Sequence, residues 1–225
     1  MIFWELELES LVDPGMMEIF ESQIKEANSL FSKFISKSYE SWMNDSSIAP
    51  ELSHTLFKNK VKPILKENKP TLLMVIDNLR MDQWKTIEPL LTDFYQKEKE
   101  EAYYSILPTA TQYARNALFS GCTPLKISEL YPQWWKNDTD EGGKNLFEKD
   151  LLQAQLKRLN IHGKMSYHKI TNLKNGKLLA KSLSNHKDEK LTAVVYNFVD
   201  MISHAKSEME IIKELASDNK AYRSL

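Results

Sequence analysis

The run Leu72-Leu73-Met74-Val75-Ile76 constrains the fold most: consecutive apolar residues behind Pro70, closed by Asp77, too short to cross a membrane. Such a run reads as a strand buried on both faces, the pattern of a parallel sheet covered by helices. A second run, Thr192 to Val199, repeats the arrangement and leads into Asp200. In open α/β sheets ligands gather outside the carboxyl ends of the strands, so both aspartates stand where chemistry is expected.

The rest of the chain fits that architecture. After Asp77 the pattern predicts a helix over 81–95, a strand over 102–107, a helix from Thr111 to near Gly121, and a helix over 145–159 on Leu146, Leu151, Leu152 and Leu156. A strand over 164–170 and a polar segment with Asn175-Gly176 precede the Asp200 strand. Strands alternating with helices imply a parallel sheet with right-handed crossovers. Upstream, residues 2–43 are helical in pattern, broken at Asp13-Pro14-Gly15, with Phe20, Ile24, Ala27, Phe31 and Trp42 at helical spacing. A polar link before Pro50 leads to a short helix over 55–65. The fold class is therefore α/β: a helical linker over 1–67, then over 68–225 part of a domain with a mainly parallel sheet flanked by helices.

Composition narrows the function classes. Lys and Arg number 30 against 31 Asp and Glu, a net charge of -1, so any affinity for phosphate must be local rather than global. A single cysteine, Cys122, excludes an internal disulfide and reads as a small core residue. Glu5, Glu7 and Glu9 interrupt the apolar start, and no run has the length of a membrane helix; the expectation is a cytoplasmic protein without membrane insertion. The dispersed glycines form no Walker or dinucleotide loop.

Asp77 reads as a metal ligand, a phosphoacceptor or a helix N-cap. If a helix follows the second strand, Asp200 and His204 lie on one face of it and can converge on one cation. Between the strands, Leu107-Pro108-Thr109-Ala110-Thr111 is a turn that offers two hydroxyls at a helix start. A threonine hydroxyl needs a base or a metal to act as a nucleophile, and ordinary N-capping is the competing role for Thr109 and Thr111. Arg115 could fork onto a phosphate, and Asn78 could donate to a non-bridging oxygen. His162, His168 and His186 lack ligand spacing and read as surface or loop residues. Trp134-Trp135 reads as a loop anchor, and Lys58, Lys60, Lys62 and Lys66 as a solvated face.

The segments Val75-Ile76-Asp77-Asn78-Leu79-Arg80-Met81-Asp82-Gln83-Trp84 and Leu107-Pro108-Thr109-Ala110-Thr111-Gln112-Tyr113-Ala114-Arg115-Asn116-Ala117-Leu118-Phe119-Ser120-Gly121 resemble the PglZ domain of the alkaline phosphatase superfamily. The nearest likeness is to PorX-type response regulators of type IX secretion, whose helical linker Trp4-Glu5-Leu6-Glu7-Leu8-Glu9 and Asp13-Pro14-Gly15 are similar to. The resemblance implies a phosphodiesterase acting on oligonucleotides, cyclic ones included, with two zinc ions. Asp77 and Thr111 would share one zinc, Thr111 being the nucleophile; Asp200 and His204 would hold the other. It also implies a fragment, without the receiver domain ahead and without the Asp-His-Gly-like motif and final histidine beyond, and therefore inactive by itself. A secretion-system membrane protein, a sigma factor or a second copy in a homodimer would be its partners. The reading from another class is a non-catalytic module that docks such a partner. A receiver domain phosphorylated on Asp77 is a third, weakened by the helical segment before Leu72.

Overall fold

The computed structural model describes residues 14–67, 69–137, 139–197 and 199–200. In chain order they form α1 (Pro14–Asn44), α2 (Ser53–Leu56) continuing through a π-helical turn (Phe57–Val61) into α3 (Lys62–Leu65), β1 (Thr71–Ile76) and α4 (Met81–Ile87). There follow α5 (Thr111–Ser120), α6 (Pro124–Leu130), α7 (Glu148–Arg158), β2 (Met165–Ile170), α8 (Leu173–Ser182) and β3 (Leu191–Tyr196). None of the described helices is long and apolar enough to cross a membrane.

The chain divides into two compact units, one with residues 14–50 and 79–99, the other with 51–78 and 100–200. In the first, α1 buries Phe20 and packs Phe34 edge-on against Trp42 at 5.5 Å. Its apolar stripe is only partly covered, since Leu30, Phe31 and Phe34 remain exposed. The helix expected over 81–95 ends at Ile87, where a 3-10 turn (Glu88–Leu91) begins with Pro89; proline has no amide hydrogen to continue the ladder.

In the second unit β3 lies between β1 and β2, and both pairings are parallel. Leu73 and Val75 of β1, Ala193 and Val195 of β3 and Tyr167 of β2 share one face by register. That face packs on Phe57, Val61 and Leu65 and on Phe119, Leu151, Leu152 and Leu156 of α5 and α7. Each such side chain fully removed from water contributes about 1.5–3 kcal/mol, so this face anchors the helices that carry the site.

Four expectations are corrected. β1 is an edge strand, and on its second face Leu72 is 41% and Met74 53% exposed; the strand buried on both faces is the central one, β3. Residues 102–107 form no strand. Tyr104 makes a single bridge to Leu52, and the Ile106 amide donates to Ser53 Oγ, so the segment is tied to the start of α2 and not to the sheet. Asn175-Gly176 lies inside α8, which Asn172 caps by accepting from the Asn175 amide. Leu146 precedes α7 and is exposed. Cys122 is buried and free, and Trp134 and Trp135 pack against the core.

Candidate functional site

The ladder runs one step past the strands at their carboxyl end. The Asp77 amide donates to the Tyr196 carbonyl at 3.1 Å and the Asn197 amide to Ile170 at 2.8 Å, which fixes Asp77 and Asn197 on one rim. Asn78, next in sequence, is exposed and left-handed at φ 58°; asparagine tolerates that conformation better than most residues.

Under this rim α5 brings Arg115. Its guanidinium is engaged on every side: Nη1 donates to Asp77 Oδ2 at 2.7 Å and to Asn197 Oδ1, while Nε and Nη2 form a fork with both Glu148 oxygens at 2.6 and 2.9 Å. Glu148, in the first turn of α7, is fully buried and also accepts from the Tyr167 hydroxyl at 2.6 Å and from Lys169 at 3.4 Å. Burial works against the Arg115 charge, and pairing with Glu148 and Asp77 more than offsets it. Burial, with the Glu148 charge beside it, pushes the Tyr167 hydroxyl far above its ordinary range, so it remains a donor. Arg115, expected to face a phosphate, is turned to protein partners instead.

Asp77 is half-buried, and burial raises its carboxyl above the ordinary value; Arg115 opposes the rise, while the charges of Asp200 and Glu148 add to it. Asp200 is thus near enough for its charge to act on Asp77. With Oδ2 held by Arg115, Asp77 Oδ1 has no hydrogen bond among the described residues.

Thr111 is the first residue of α5, and the N-cap is Ala110, which has no side chain to cap with. Neither threonine caps the helix, so that competing role falls away. Thr109 is exposed in the loop, whereas Thr111 is half-buried and lies one turn before Arg115. Residues four apart share a helix face, displaced about 6 Å along the axis, so Thr111 lies on the same face of α5 as Arg115. Its hydroxyl has no partner among the described residues.

Carboxylate and hydroxyl oxygens are donors that a divalent cation takes, so Asp77, Asp200 and Thr111 fit one in part. Among the described residues, no group of three or more His, Cys, Asp or Glu could hold a metal ion; His204 lies outside those residues. Glu148, Asn197 and Tyr167 escaped the sequence reading. One signal existed: Glu148 shares the helix face of Leu151, Leu152 and Gln155, all buried, and a carboxylate on an apolar stripe implies a buried partner.

Residues 56–225 match the family described as the BREX system PglZ alkaline phosphatase-like domain, and residues 1–43 match the PorX response regulator linker domain. No curated protein matches the chain.

Proposed function

Since the chain belongs to the PglZ alkaline phosphatase-like family, we propose that it is the linker and amino-terminal part of a metal-dependent phosphodiesterase effector in a PorX-like response regulator. Its substrates on this reading are oligonucleotides, cyclic ones included, and its setting is the cytoplasmic control of type IX secretion, with a secretion-system membrane protein or sigma factor as partner. The observation that carries the reading is a half-buried threonine hydroxyl at a helix start that caps nothing, on the helix face whose next turn grips Asp77.

Thr111 Oγ would attack phosphorus and form a threonine-linked phosphodiester as the bond to the leaving alkoxide breaks and that alkoxide takes up a proton; water would then release the phosphomonoester and restore the hydroxyl. Asp77, held by Arg115 through Oδ2, keeps Oδ1 in one orientation. Zinc bound by Asp77, Thr111, Asp200 and His204 would supply Lewis acidity at the phosphoryl oxygens and favour the threonine alkoxide. Cleavage of a chromogenic phosphodiester by the complete regulator, lost on Thr111→Ala and on chelation, tests the reading. Activity that survives Thr111→Ala would overturn it.

One observation favours the docking-module alternative: Arg115 pairs with both Asp77 and Glu148, so part of the carboxylate charge here is already balanced by the protein. Partner capture by the complete regulator that is unaffected by Thr111→Ala, with no turnover under any metal, would select it.

A further inference from the structure

The opposite rim of the sheet, where the strands begin, carries a concentration of positive charge that the reaction at Asp77 does not use. Two cavities open there, about 270 and 260 Å³, and both are lined by Lys190. Lys62 and Lys66 complete the basic lining of the first, Lys69, Lys164 and Lys187 that of the second. Asp188 and Glu189 are the carboxylates of the two linings. Glu189 is turned inward, accepting from Ser166 and Thr192 and paired with His186 at 3.1 Å. Of the six lysines, Lys69 alone has an ion pair among the described residues, an exposed one with Glu67. This excess stands in a chain whose net charge is -1.

The backbone holds part of this charge in place. The Lys190 amide donates to the Lys164 carbonyl at 2.9 Å, and the Thr71 amide donates to the Lys190 carbonyl at 3.2 Å. Lys164 and Lys190 thus face each other across the start of the β2–β3 ladder, about one strand spacing apart, roughly 4.8 Å. Like charges directly opposite on neighbouring strands destabilise a sheet, and an anion between them reverses the sign of that term. No phenylalanine, tyrosine or tryptophan lines either cavity; the one aromatic ring of the two linings is His162, whose Nε2 is engaged with Asn160 Oδ1 at 2.8 Å.

We propose that this rim is a binding site for consecutive phosphate groups, recognised through their charge and without contact to a base. It is separated from the Asp77 rim by the length of the strands, about 20 Å for six residues, and holds whatever the outcome of the reaction there.

Titration of the full chain with inorganic tripolyphosphate tests it, with a single-stranded oligothymidylate and anionic phosphatidylserine vesicles as further arms. Tripolyphosphate is expected to bind and to lose about tenfold in affinity in Lys164→Ala with Lys190→Ala, two solvent-exposed charge contacts being removed. Lys126→Ala, at a surface pair elsewhere on this unit, is expected to change nothing. Oligothymidylate binding through the same lysines, its salt slope falling by about one per lysine removed, would support the site and assign the phosphates to a nucleic-acid backbone. Lys187→Ala with Lys69→Ala gives an independent pair should the first fail to fold. Binding unchanged in both pairs, no binding of tripolyphosphate, or binding to vesicles alone would overturn the proposal.

Discussion

Glu148 lies where almost no water reaches it, and Arg115, Tyr167 and Lys169 all donate to it. Removing one partner of such a pair leaves the other charge buried and uncompensated, a loss of about 3–5 kcal/mol. Arg115→Ala is therefore expected to lower the urea unfolding free energy by about that amount. Arg115→Met with Glu148→Leu is expected to recover much of it, since an apolar pair of similar volume is often neutral or better; two single losses that merely add would contradict the coupling. Thr111→Ala acts in the opposite way. Thr111 caps nothing and its hydroxyl has no partner among the described residues, so stability should stay within about 0.5 kcal/mol, while phosphodiester cleavage by the complete regulator is abolished. The strand end before Asp77 and the helix start at Thr111 were legible from the apolar run and the turn; the protein partners of Arg115 were not. Glu148 was not, because its partner Arg115 lies 33 residues away and an acidic residue in a helix's first turn ordinarily reads as a complement to the helix dipole.

At the scale of elements, the site depends on how α5 ends. Gly121 closes the helix at φ 63°, and a Cβ there would fall 2.1 Å from Gln155 Oε1. The Gln155 amide donates to the carbonyls of Leu118 and Phe119 at 3.0 and 2.9 Å, so a side chain at 121 would displace the group that satisfies the end of α5. Gly121→Ala is expected to cost about 2–4 kcal/mol, from the left-handed conformation and the two lost hydrogen bonds, read as a shift in the urea midpoint. Gly121 as the stop of this helix was legible from the residue type; Gln155 as its reason was not, since it comes from α7. The other departures have the same origin. The apolar run of β1 carries no mark of whether a strand lies at the edge or the centre of a sheet, and Leu72 and Met74 are exposed because β3 took the centre. In 102–107 the β pattern was real, but the amides of Tyr104 and Ile106 found Glu51 and Ser53 before a ladder.

For the molecule as a whole, the alternation of strands with helices was enough to give a parallel sheet with its carboxylates on one rim, because apolar period and crossover handedness are properties of the chain. Its response to pH was not legible, because it depends on which histidines are enclosed. His168, expected at the surface, lies on β2 against His186 with ring centroids 5.0 Å apart, and its Nε2 is buried without a hydrogen-bond partner among the described residues, as is Nδ1 of His54. Burial lowers both imidazoles below their model-peptide value of 6.5; Glu51 opposes this at His54, and at His168 the charges of His186 and Lys149 reinforce it while Glu189 opposes it. Between the lowered folded values and 6.5 the unfolded chain binds more protons than the folded one, so stability rises with pH in that window and is lost as pH falls below 6.5. Glu189 acts in the same direction at lower pH. Burial raises its carboxyl, but hydrogen bonds from Ser166, His186 and Thr192 hold it below 4.5, and its contribution disappears as it protonates. Asp77, raised above 3.8 by burial, has the opposite sign and relieves part of the acid loss. The thermal midpoint is therefore expected to fall between pH 7.5 and 5.5, and His54→Gln with His168→Gln to flatten that interval while leaving the steeper loss at lower pH. A wild-type midpoint that stays level across the interval would mean that both rings accept protons freely in the folded state, against the enclosure of His54 Nδ1 and His168 Nε2.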